Sequence, residues 1–148
     1  MTSLRRAAPS DASTMHPIAQ ASYAGNVPRM GRRPYPMDMD YDAAVADAES
    51  WVAVDDPSVV GFLVLVDEAD AMLLENVGVL PSHHGRGVGR ALLELAESRA
   101  VESGHSRIRL FTHVTMVENQ ALYERIGYVR THHATDDGHT RVFYEKVL

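Results

Sequence analysis

Pro81-Ser-His-His-Gly-Arg-Gly-Val-Gly-Arg90 is the stretch on which the reading of this chain turns, because a glycine-rich loop there runs straight into a strong helix. Gly85, Gly87 and Gly89 carry no Cβ, so backbone N–H groups at those positions can come close to a ligand. The helix behind them brings its free N–H groups and the positive end of its dipole to the same place. That combination is an anion site, and phosphate or pyrophosphate is its usual occupant.

Spacing excludes two familiar phosphate loops. A Walker loop needs a lysine directly after its glycines, and the only lysine of this chain is Lys146. The dinucleotide fingerprint Gly-x-Gly-x-x-Gly fails as well, since Gly85-x-Gly87 is followed three residues on by Arg90.

Outward from the loop, Val77-Gly-Val-Leu-Pro81 reads as the end of a strand, and Val88 to Ser103 reads as an amphipathic helix. In that helix Val88, Ala91, Leu92, Leu95 and Ala96 recur at the 3.6-residue period, and Gly104 ends it. Further on, Thr115-Met-Val-Glu118 has the form of a capping box. It opens a helix that stops at Gly127 and places Asn119 and Tyr123 on one face.

The strand, the loop His84-Gly-Arg-Gly-Val-Gly89 and the segment Ala121-Leu-Tyr-Glu-Arg-Ile-Gly-Tyr128 together resemble the GNAT superfamily of acetyl-CoA-dependent N-acetyltransferases, over roughly residues 50–148. His84 stands where the family signature has Gln or Arg, and Met116 stands where many relatives carry asparagine. The resemblance implies an α/β fold, with a mixed, mostly antiparallel twisted sheet and helices on both faces. Two strands splay apart in such a fold to hold acetyl-CoA as co-substrate. It further implies that Val77, Gly78 and Val79 supply the open strand edge. The residues His84, Gly85, Arg86, Gly87, Val88, Gly89 and Arg90 would surround the pyrophosphate, with Arg86 near it and Arg90 either near it or in solvent. Tyr123 would lie near the sulfur, with Asn119 beside the cofactor.

The rest of the chain reads as a mixed α/β order. A short strand is expected at Leu4–Ala7, then a helix opened by Ser10-Asp11 and running to about Tyr23, with Pro17 an irregularity inside it. Residues 24–40, with three prolines, read as a long loop, and Tyr41 to Ala48 as a short helix. Strands are expected at Ser50–Val54, Val59–Val66 and Ala71–Val79, forming a meander, and another at Arg107–Thr112. A final hairpin turns across Asp136-Asp137-Gly138-His139.

Composition sets further limits. The 148 residues are expected to form one domain, with 45% apolar and 23% charged residues, close to globular averages. A net charge of −6 argues against nucleic acid or an anionic membrane as partner. The absence of cysteine removes disulfides, thiolate metal sites and a covalent cysteine intermediate. No long apolar segment follows Met1, so a cytoplasmic protein is expected. Neighbours on a strand point to opposite faces, so His132-His133 does not suit a shared ion; the loop pair His83-His84 belongs to the phosphate motif, and no metal is expected. The sequence leaves a homodimer open.

Acetyl transfer to an amine needs a neutral amine, a polarised carbonyl and a stabilised thiolate. An alkyl ammonium with a pKa near ~10 leaves about one molecule in a thousand as free amine at neutral pH, so a general base is useful. Glu75 is the first candidate, expected to share a strand face with Val77 and Val79 unless a bulge near Gly78 breaks the alternation; the alternative is an exposed strand glutamate. His113 is the second candidate. Tyr123 would donate to the departing thiolate, and backbone N–H groups near Val79 would polarise the carbonyl. Arg29, Arg32, Arg33, Tyr35 and Tyr41 could clamp an anionic group of the acceptor or form a solvated basic loop. The acceptor itself, a small molecule or a peptide amine, carries no motif, and a catalytically silent acyl-CoA-binding module is the competing reading.

Overall fold

The computed structural model describes residues 2–31, 33–136 and 138–148. Its elements in chain order are β1 (Thr2–Arg6), α1 (Ala12–Tyr23), α2 (Val27–Met30), α3 (Tyr41–Asp47), β2 (Glu49–Asp55), β3 (Ser58–Asp67), β4 (Met72–Val79), α4 (Val88–Glu102), β5 (Arg107–His113), α5 (Val117–Arg125), β6 (Val129–Asp136) and β7 (His139–Val147). The seven strands make one sheet in the order β1-β2-β3-β4-β5-β7-β6. Every neighbouring pair is antiparallel except β4 with β5. The expected α/β class and mixed sheet are therefore present, with each expected strand displaced by no more than two residues at either end.

β3 shows why the sheet has helices on both sides. Phe62 and Val64 pack with Met15 and Ile18 of α1 and Tyr41 and Ala44 of α3. Leu63 and Leu65 pack the other way, against Leu92, Leu93 and Ala96 of α4. A strand covered on both faces needs an unbroken apolar run, and Phe62 to Val66 supplies it. Pro17 does not interrupt α1, which runs continuously to Tyr23.

Residues 24–40 are not the structureless loop that their prolines suggest. They hold a 3-10 turn at Ala24–Asn26, the helix α2, closed by Gly31, and a second 3-10 turn at Tyr35–Met37. Pro28 and Pro36 each occupy a first-turn position, where a missing N–H costs nothing. The prolines thus start turns in this segment and do not prevent them. The expected hairpin closes with Asp136 opposite His139; Asp137 lies outside the described residues.

Two irregularities shape the middle of the sheet. β4 and β5 are paired only at Met72–Ile108, Leu73–Arg109 and Leu74–Leu110, so the strands part beyond those residues. At the same point the β3–β4 register jumps, with Val64 opposite Asn76 and Leu65 opposite Leu74, which makes Glu75 the extra residue of a β-bulge. Gly78 lies beyond the bulge, where a Cβ would come within 2.6 Å of the Phe62 ring, so no larger residue fits without moving that ring.

Candidate active site

The bulge corrects one expectation. Leu74 packs on the α4 side of the sheet, whereas Asn76 is tied to Tyr41 on the opposite side. Val77 returns to the α4 side, and Val79 lies with it. Glu75 is turned toward the 24–40 segment, where its Oε1 accepts a 2.7 Å hydrogen bond from the Tyr35 hydroxyl. It therefore does not share a face with Val77 and Val79. The break in alternation falls at Glu75 itself, three residues earlier than the position near Gly78.

The alternating ladder of an antiparallel pair settles which backbone groups face the opening. Leu80 N–H donates to Val60 C=O at 2.9 Å, so Leu80 and Gly78 direct their polar groups toward β3. Val77 and Val79 direct theirs into the gap between β4 and β5. The Val79 carbonyl there accepts from Ser22 Oγ at 2.7 Å and from His84 Nε2 at 2.9 Å, which requires the proton on Nε2. The Tyr23 hydroxyl lies 3.0 Å from the Val77 carbonyl and 2.9 Å from Asn76 Oδ1. Asn76 Nδ2 donates in turn to Tyr41, whose hydroxyl donates to Pro36 C=O. This buried chain pins the 24–40 segment to the bulged strand.

Beside the gap, Gly87 caps α4 in the left-handed conformation with φ 83°, and no side chain caps the helix. The first intrahelical bond is from Ala91 N–H to Gly87 C=O, so the amides of Val88, Gly89 and Arg90 remain available to an anion. An added Cβ at Gly85 or Gly87 would meet no protein atom within 4 Å, so the loop walls an open groove. Val77, Gly78, Val79, His84, Gly85, Gly87, Gly89, Arg90, Asn119 and Tyr123 all line that groove. Val88 buries its side chain in the core and offers the groove its amide alone. Arg86 points to solvent outside the lining, and Arg90 is exposed and paired with Glu94 at 3.2 Å.

A second cleft opens on the other side of the splay. Tyr35, Glu75, Phe111, His113, Met116 and Arg141 are among its walls, and it shares Tyr23, Val77, Asn119 and Tyr123 with the first. Tyr123 thus stands where the two clefts meet. It is 7% exposed, its ring packs edge-on against Tyr128, and its hydroxyl makes no hydrogen bond among the described residues. Burial pushes its pKa up to about 12, so the phenol is neutral at physiological pH.

Burial also raises Tyr41 and Tyr128 above the ordinary phenol range. Unfolded phenols ionise near ~10, so above that pH the unfolded chain releases protons that the folded chain keeps, and stability falls as pH rises. Alkaline unfolding followed by circular dichroism should begin above about pH 10. Tyrosinate absorbance from these residues should rise with unfolding; a rise well before it would contradict the assignment.

The expected capping box does not form. Met116 is the N-cap residue of α5 and makes no side-chain cap. The Thr115 hydroxyl lies 2.8 Å from His113 Nδ1, and Glu118 forms a bidentate ion pair with Arg29, both contacts 2.6 Å. Arg29 holds the Glu118 carboxyl down at about 2. Gln120, which sequence reasoning passed over, braces the turn before α5 by donating to Val114 C=O at 2.9 Å. Met116 Sδ accepts from Asn119 Nδ2 at 3.6 Å and so orients that amide.

The two described arginines of the basic loop are exposed to solvent and each is already paired with a carboxylate. Arg29 is bound to Glu118, and Arg33 to Asp38 and Gln20. Arg32 lies outside the described residues. The arginine that does line the second cleft, Arg141, went unnoticed because nothing in His139-Thr-Arg-Val-Phe143 marks one strand arginine apart from another. Of the histidines, His83 pairs with Asp55 at 3.0 Å, and His132 stacks on Phe143 at 4.4 Å. No helix among the described residues is long and apolar enough to cross a membrane.

Comparison with known proteins agrees with this geometry. The model of the acetyltransferase (GNAT) family matches residues 14–128, reaching further toward the N-terminus than the motifs alone. Among solved structures, the chain is similar to the PaiA N-acetyltransferase from Thermoplasma acidophilum in complex with coenzyme A, with 18% identity, 100% of this chain and 99% of that chain covered, and a TM-score of 0.84. It is similar also to the ribosomal-protein-S18-alanine N-acetyltransferase from Escherichia coli, with 18% identity, 99% and 94% covered, and a TM-score of 0.80. A third is the IAA acetyltransferase from Bacillus cereus, with 19% identity, full coverage of both chains and a TM-score of 0.74. At these identities the structures establish a shared fold. A comparison with curated proteins finds no match.

Proposed function

Because the chain belongs to the acetyltransferase (GNAT) family, we propose that it transfers the acetyl group of acetyl-CoA to a primary amine of a small molecule or peptide by direct attack. The observation that carries this reading is the position of Tyr123, at the meeting point of a groove built for a phosphate-bearing arm and a second cleft holding a carboxylate. The residues suit the co-substrate: amides of the α4 N-terminus for the pyrophosphate, and the backbone of Val77 and Val79 for the amide-bearing arm.

In this reading the amine nitrogen attacks the thioester carbon; the C–N bond forms, the C–S bond breaks, and the amine proton leaves. Glu75 takes that proton, directly or through a water, with its carboxylate held in place by Tyr35. The Val79 N–H faces the gap and polarises the carbonyl. Burial raises the Tyr123 phenol above its ordinary value, so its proton is held more tightly than in water and a hydrogen bond to the sulfur needs no transfer of it. Tyr123 donates a hydrogen bond to the leaving sulfur.

The test is thermal unfolding with acetyl-CoA, with NAD as control, followed by thiol release against a panel of amines. A ligand at a hundred times its Kd adds about 2.7 kcal/mol, a rise of a few degrees for a domain this size. A rise with acetyl-CoA and none with NAD is expected. No rise at millimolar acetyl-CoA would defeat the proposal.

A further inference from the structure

Resting on the reading above, we propose that the acceptor is a zwitterion, a free amino acid with an apolar side chain, whose carboxylate is held by Arg141 while its amine is presented to Glu75. Arg141 stands on β7 directly opposite His113 of β5, and its guanidinium lies 5.9 Å from the centre of the Phe111 ring. It is half-buried and lines the second cleft together with Glu75. Among the described residues its side chain makes no hydrogen bond and no ion pair. The other guanidiniums of the region differ, since Arg29 and Arg33 are already engaged by Glu118 and Asp38. A partly desolvated guanidinium without a carboxylate, resting on an aromatic face, presents its donors as a planar fork to whatever enters the cleft.

Charge selects the partner. Among the described residues the cleft is lined by one carboxylate, Glu75, and one guanidinium, Arg141, with the imidazoles of His113 and His139 beside them, and the Tyr35 hydroxyl donates to Glu75. A ligand with one positive and one negative end leaves that balance intact, whereas a phosphate dianion would place a surplus negative charge near Glu75. The remaining walls include Met30, Pro34, Pro36, Phe111 and Met116, which suit the apolar side chain of such an amino acid.

The experiment compares L-phenylalanine, L-phenylalaninamide, phenethylamine and phosphoethanolamine as acceptors for the full chain, the Arg141→Gln variant and the Arg141→Lys variant. The quantity read is the ratio of variant to wild-type kcat/KM for each acceptor, in which intrinsic amine reactivity cancels. With Arg141→Gln the value for phenylalanine should fall about tenfold to a hundredfold, while phenethylamine changes by less than about twofold. Arg141→Lys should recover part of the loss, and the KM for acetyl-CoA should not move. Equal losses for all acceptors, or a wild-type preference for phosphoethanolamine, would overturn the proposal. So would a set of twenty L-amino acids, none of which stabilises the CoA-loaded protein against heat. If acetyl-CoA itself does not bind, the acetyltransferase reading fails; if it binds and amines are acetylated without regard to a carboxylate, only the present inference fails.

Discussion

Replacing Tyr123 by phenylalanine should lower turnover at least about tenfold while leaving the affinity for acetyl-CoA within about twofold. The ring is the structural part of this residue: it packs against Tyr128 and Tyr144 at 5.8 and 6.1 Å between centroids, and phenylalanine keeps those contacts. The hydroxyl has no protein partner among the described residues, so its removal strands no buried group. What is lost is one donor at the junction of the clefts, where negative charge develops on sulfur only as the C–S bond breaks. A donor of that kind acts on kcat and hardly on ground-state binding. The pH profile adds a sign. Below the pKa of the acceptor amine the wild-type rate should rise with pH as the amine loses its proton. No falling limb from Tyr123 should appear below about pH 11, because its phenol stays protonated to about 12. Equal loss of turnover and affinity would make Tyr123 a packing residue and would favour a silent acyl-CoA-binding module.

Replacing Gly87 by valine should weaken acetyl-CoA binding at least about a hundredfold, a loss of roughly 2.7 kcal/mol. Two effects contribute, and the structure separates them. With φ 83°, a β-branched residue at this position strains the backbone, by about 1–2 kcal/mol, and lowers the melting temperature whatever the ligand does. A Cβ at this position meets no protein atom within 4 Å, and because Gly87 lines the groove the added bulk is expected to obstruct the approach to the free amides of α4. Gly87→Asn divides the two causes, because asparagine tolerates the left-handed conformation while still filling the space. That variant should melt close to the parent and bind acetyl-CoA poorly. Normal affinity in both variants would place the cofactor elsewhere.

The fold was legible because its decisive features are local. Loop glycines before an amphipathic helix, apolar runs bounded by turn residues in β2 to β4, and a helix stop at Gly127 are all written within a few residues of the structure they specify. Of the candidate site, only the groove beside α4 was legible in the sequence. In the proposed role Gly85 to Arg90 would act largely through backbone amides, and amides are fixed by local conformation. The acceptor half is assembled by distant partners: Tyr35 with Glu75, Arg29 with Glu118 across 89 positions, Arg141 with Phe111. Glu75 was misplaced because a bulge depends on the partner strand's register and leaves no mark on the alternation of its own strand. Thr115 and Glu118 have the form of a capping box, yet each finds a stronger partner elsewhere, His113 for one and Arg29 for the other. The arginines of residues 24–40 stood out by density, whereas the one beside the second cleft sits singly in a strand.

The short parallel seam has a mechanical meaning. Three residue pairs, roughly 10 Å of strand, join the plate formed by β1 to β4 to the plate formed by β5, β7 and β6, with α4 lying beneath both. The sheet is thus riveted at one end and open at the other. Under the proposed reading, an acetyl-CoA molecule lying in the open end would supply the cross-links that the missing part of the ladder would have made, so loading would stiffen the sheet about its rivet.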